Sequence, residues 1–109
     1  MINIGIFVTS IGDILGFEIS GHSGYSDSGS DIVCASVSSV VYLIINTLMD
    51  ILKISLVVNV SKKKSYLRFV LDNERDCGVC KNFLLGLKNH LISLKDSYPK
   101  YIKINYSEV

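Results

Sequence analysis

Apolar and polar positions alternate through the first twenty residues. From 2 to 9 the run Ile-Asn-Ile-Gly-Ile-Phe-Val-Thr is rich in β-branched side chains, and Ile11-Gly12-Asp13 supplies a turn. From 14 to 20, Leu15, Phe17 and Ile19 alternate with Gly16, Glu18 and Ser20. A period of two on both sides of a short turn predicts a β-hairpin, and carrying that period forward puts His22 on the polar side, clear of the core. Residues 23 to 30 have almost nothing to bury and read as a loop. Asp31 then offers an N-cap, and the apolar density from Ile32 to Leu52 predicts a long helix whose first three positions are Ile32, Val33 and Cys34.

The second half repeats the change of period. Ser55 to Val60 and Tyr66 to Leu71 predict two strands joined through Lys62-Lys63-Lys64. Asp72 to Asp76 leads into a helix from about Cys77 to Leu94, where Phe83, Leu84, Leu87 and Leu91 recur at helical spacing before the Tyr98-Pro99 stop. Tyr101 to Tyr106 closes as a strand. The predicted order is ββαββαβ: an α+β domain spanning 1–109, with a mostly antiparallel or mixed sheet packed by two helices in two or three layers.

Composition narrows this further. At 109 residues there is room for one core and one site, and a net charge of +1 argues against a nucleic-acid partner, leaving the lysine triplet as a solvated turn. Three cysteines, an odd number, and no signal-peptide pattern at the start predict reduced thiols in the cytoplasm. The stretch 32–52 is apolar, but Ser36, Ser38, Ser39, Asn46, Thr47 and Asp50 interrupt it, so a buried core helix is expected rather than a membrane span. Its apolar positions nonetheless exceed what one sheet face needs, with Val37, Val40, Val41, Leu43, Ile44, Ile45, Leu48 and Met49 spread around it. A homodimer contact accounts for the surplus.

The chemistry centres on Gly21-His22-Ser23-Gly24 and Asp31-Ile32-Val33-Cys34-Ala35. A thiol is a strong nucleophile only as thiolate, which a helix N-terminus or a nearby imidazolium favours. Cys34 at the third helical position, with His22 at the end of the preceding strand, satisfies both conditions. The free amides at the helix start would be natural oxyanion donors. Asp31 has two roles open, helix cap or third catalytic member, with the cap favoured; its carboxylate beside Cys34 opposes the thiolate by like charge. Ser38 lies one turn beyond Cys34 on the same face, as cleft wall or packing serine. Residues 23 to 30 are expected to form a mobile lid over Cys34, with Gly24 and Gly29 as permissive points, Tyr25 as the sizeable apolar group, and serines unable to anchor the loop.

The segments Gly21-His22-Ser23-Gly24-Tyr25 and Gly29-Ser30-Asp31-Ile32-Val33-Cys34-Ala35-Ser36-Val37-Ser38 resemble the bacterial ribosomal-processing cysteine protease family, Prp. The resemblance implies a small cytosolic homodimer that removes a short N-terminal extension, ending in aromatic residues, from the twenty-seventh large-subunit ribosomal protein. It implies Cys34 as nucleophile and His22 as base, with Asp31 and Ser38 at motif positions; Gly21, Ser23, Gly24, Tyr25 and Gly29 are expected, from the loop's own composition, to form the substrate-binding lid. No cofactor, metal, nucleic acid or membrane is implied. Two other classes stay open: a noncatalytic ribosome-associated RNA-binding module using the lysine triplet and tyrosines, and a thiol oxidoreductase built on Cys77 and Cys80. The latter pair reads more simply as two thiols in the first turns of a helix, since a zinc site lacks four ligands and only His90 lies downstream.

Overall fold

The computed structural model describes residues 1–27 and 31–109. β1 (Ile2–Val8) and β2 (Ile14–Ser20) form the expected antiparallel hairpin, with Ile4 opposite Ile19 and Ile6 opposite Phe17. β3 (Leu56–Ser61) and β4 (Tyr66–Leu71) form a second hairpin, with Val58 opposite Phe69. The hairpins join edge to edge through β2 and β4, where Phe17 faces Phe69 and Ser20 faces Tyr66. β5 (Ile102–Glu108) lies parallel to β1, giving the mixed sheet order β3-β4-β2-β1-β5.

Alternation puts Ile2, Ile4, Ile6, Phe17, Ile19, Leu67, Phe69 and Ile102 on one face, all buried. Both helices cover that face. α1 (Ile32–Asn46) buries Val33, Val37, Val41 and Ile45, a stripe repeating every four residues, and α2 (Cys77–Ser97) buries Cys77, Cys80, Leu84, Leu87 and Leu91. Each fully buried aliphatic side chain there contributes about 1.5–3 kcal/mol. The other face stays open to solvent, where Arg68 stacks over Phe7 at 4.9 Å and approaches Glu18 at 3.8 Å. The domain therefore has two layers.

The long helix differs from expectation at its end. α1 stops at Asn46, and residues Thr47–Ile51 continue as a wider π turn whose closing bond runs from Leu52 N–H to Thr47 O at 3.0 Å. The turn keeps Leu48 in the core while Leu43 and Ile51 remain exposed. Helix and turn together, Ile32–Ile51, are long and apolar enough to cross a membrane, but their buried stripe is committed to the sheet.

Candidate active site

The site begins where β2 ends. Gly21 has φ +87°, and a Cβ there would lie 2.5 Å from the Met1 carbonyl oxygen, so only glycine permits the bend that carries His22 off the sheet. Its N–H donates to the Ser65 carbonyl at 3.0 Å, which ties the bend to the β3–β4 turn. His22 is exposed, as expected, though by the bend at Gly21 and not by a continued strand period, and its Nε2 lies 2.6 Å from Ser65 Oγ.

Cys34 is set by a cap. Asp31, extended at φ −79° and ψ 101°, accepts at Oδ1 from the amides of Val33 and Cys34, both at 3.0 Å, and α1 starts as expected with Cys34 at its third position. Asp31 Oδ2 accepts from Ser23 Oγ. The bond from Ser23, reinforced by the Cys34 and Val33 amides, holds the Asp31 carboxyl down at about 2. Both its oxygens are thus engaged, and neither orients His22. Cys34 is half-buried, and its Sγ accepts from the Ser23 N–H at 3.4 Å.

Two expectations change here. The Val33 and Cys34 amides serve the cap, and the Ala35 amide bonds the Asp31 carbonyl at 3.1 Å, so the helix start does not present them as free oxyanion donors. The loop serines, expected to lack an anchor, include one that has it. Ser23 is buried, its hydroxyl donates to Asp31 and accepts from the Tyr25 N–H at 3.0 Å, and its amide meets Cys34. The residue that follows the histidine thus fastens the strand end to the helix cap. Tyr25 lies edge-on to Tyr98 and Tyr101 at 5.8 and 5.3 Å, packed on the α2–β5 connection. Gly24 has φ +75°, and Gly29 falls outside the described residues.

His22 and Cys34 line one cleft of about 600 Å³. Gly21, Gly24 and Asp31 border it, Ser38 and Tyr42 continue its wall down α1, and Ile19 and Leu67 form a floor from the sheet. Ser38 is therefore a cleft residue. The far wall comes from the second hairpin through Val60, Ser61, Lys62, Ser65 and Tyr66. Sequence reasoning missed that wall, because nothing local to residues 60–66 signals it. It follows from the Ser20–Tyr66 register, which swings the β3–β4 turn beside Gly21.

Cys77 and Cys80 belong to the core. Cys77 Sγ donates to the Ile14 carbonyl at 3.8 Å, and Cys80 is fully buried. Burial pushes both thiols up, with nearby carboxylates, Asp76 for both, adding to it. A redox thiol needs the opposite environment. Among the described residues no three His, Cys, Asp or Glu side chains gather as a metal set.

A sequence profile of the family described as cysteine protease Prp matches residues 1–103. The ribosomal processing cysteine protease Prp of Bacillus subtilis (strain 168) is 26% identical over 82 residues, covering 75% of this chain and 73% of that protein. The S. aureus ribosomal processing protease Prp, solved with a substrate peptide, superposes with a TM-score of 0.85 at 20% identity, covering 98% of this chain and 100% of that one. The same protease with a covalently linked product peptide superposes at 0.84 with the same identity and coverage.

Proposed function

This chain belongs to the cysteine protease Prp family and is a cysteine protease, and from that premise we propose that Cys34 and His22 are its catalytic pair. The observation that carries the reading is their placement on one cleft, with Cys34 Sγ in the first turn of α1 and held by the Ser23 amide. The substrate we infer is the twenty-seventh large-subunit ribosomal protein carrying a short N-terminal extension. Its processing takes place in the cytoplasm, by a homodimer formed through the exposed apolar positions of α1 such as Leu43. The wholly protein substrate needs no cofactor, nucleic acid or membrane.

The Cys34 thiolate attacks the scissile carbonyl carbon, and the carbonyl electron pair moves to oxygen. As the C–N bond breaks, the His22 imidazolium gives its proton to the leaving amine, leaving a thioester on Cys34 and a neutral imidazole. Water then gives a proton to His22 while its oxygen attacks the thioester. The C–S bond breaks, the extension leaves with a new carboxyl group, and the thiolate–imidazolium pair is restored. With the Val33 and Cys34 amides committed to Asp31, the Ser23 N–H takes the oxyanion role. It already points at Sγ, so the new oxyanion forms beside it.

The test is to incubate the protein with the extended ribosomal protein and read the product's N-terminus by mass spectrometry. A single cut that releases the extension, absent with Cys34→Ala, is expected. An uncut substrate overturns the assignment of this substrate.

A further inference from the structure

Ser65 stands out in the β3–β4 turn. Its backbone is left-handed, φ +50°, a conformation that suits glycine or asparagine far better than serine. Ser65 and Lys53 are the non-glycine residues at positive φ among those described, and at Ser65 the side chain meets a residue of the site. What the serine adds is its hydroxyl, 2.6 Å from His22 Nε2. The same residue's carbonyl accepts from the Gly21 N–H at 3.0 Å, and its own N–H donates to the Lys62 carbonyl at 3.2 Å. Ser65 is thus fixed on both sides by backbone bonds and grips two consecutive residues just beyond β2, Gly21 by main chain and His22 by side chain.

We propose that Ser65 is the positioning residue for His22, the third partner that sets the imidazole's orientation and tautomer. Asp31, the obvious acidic candidate, has both oxygens engaged by the helix cap and Ser23. With Nε2–H donating to Ser65 Oγ, Nδ1 is the ring nitrogen left to take a proton from water and to give one to the leaving amine. A base already held in its working tautomer need not be ordered at the moment of reaction. The inference deepens the assignment of His22 as the catalytic base and rests on that reading.

Two variants separate the hydroxyl from the turn. Ser65→Gly keeps the left-handed backbone and both backbone bonds but removes Oγ; Ser65→Asn keeps the backbone and restores a polar side chain. The other titratable groups on the cleft, Asp27, Asp31, Cys34, Tyr42, Lys62 and Tyr66, are identical in both. Imidazole nitrogen chemical shifts, measured in ¹⁵N-histidine protein across a pH series, report the tautomer and titration of His22 directly, with His90 as internal reference. In Ser65→Gly we expect the His22 tautomer ratio to relax toward that of the exposed His90, which is itself unchanged. The His22 limb of the kcat/KM pH profile should move with it, and kcat should fall at least ~10-fold, a fraction of the ~10²–10⁴ that acid–base catalysis contributes, with KM little altered. Ser65→Asn should recover part of the loss. Identical His22 shifts in Ser65→Gly and the parent would overturn the inference. The NMR arm needs no substrate, so absence of cleavage by the parent refutes the assignment of this substrate while Ser65 is still decided.

Discussion

At the scale of single residues, Asp31 carries as much of the site as Cys34 does. Its carboxylate closes the helix start, fastens Ser23 and thereby aims the Ser23 amide at the thiol. Its pKa of about 2 lies below the ordinary 3.8, so the native state resists protonation while the unfolded chain does not. The stabilisation is complete above the ordinary value and is lost as pH falls from about 4 toward about 2. We expect Asp31→Asn to lower Tm by several degrees near neutral pH and to flatten this acid-side slope, measured by thermal unfolding across that range. An unchanged slope would contradict the cap. Cys34→Ala and Cys34→Ser should abolish cleavage with the circular dichroism spectrum and Tm retained, and His22→Ala should lower kcat by about 10²–10⁴-fold. Cap and thiol were legible in the sequence because both depend on residues within one helical turn. Ser65 was not, since its partner His22 is forty-three positions away and meets it only through sheet register.

At the scale of elements, strands and helices follow from local periodicity, and each predicted strand occurs within two residues of its expected bounds. The parallel β1–β5 pair could not be read locally, because it depends on α2 crossing back over the sheet to return the chain beside β1. The π turn was hidden too. Its sequence, Thr-Leu-Met-Asp-Ile, carries no glycine or proline, and the widening serves the burial of Leu48. The start of α2 shows a motif absorbed by packing: Cys77 and Cys80 point into the core. Cys77→Ser with Cys80→Ser should leave turnover within a few-fold of the parent while lowering stability by about 1–3 kcal/mol per fully buried hydroxyl, read from urea unfolding. A large loss of turnover at full stability would show that these thiols take part in the chemistry.

At the scale of the whole molecule, one sheet face is covered by both helices, and the cleft lies where α1, the end of β2 and the second hairpin converge. α1 serves three ends: its buried stripe is core, its first turn seats Cys34, and its outer positions are exposed. Leu43 is 61% exposed on that outer surface, so Leu43→Glu is expected to convert a dimer to a monomer in sedimentation velocity, with the fold retained. A parent that sediments as a monomer at every concentration tested would contradict the dimer. The central claim, that Cys34 is the nucleophile of a protease, is tested most directly by acid-quenched mass spectrometry of the protein mixed with the extended ribosomal protein proposed as its substrate. The account predicts a transient adduct with the mass of the acyl extension, labile to hydroxylamine, mapped to Cys34 and missing in Cys34→Ala. An adduct on Cys77 or Cys80, or undiminished cleavage by Cys34→Ala, would contradict it.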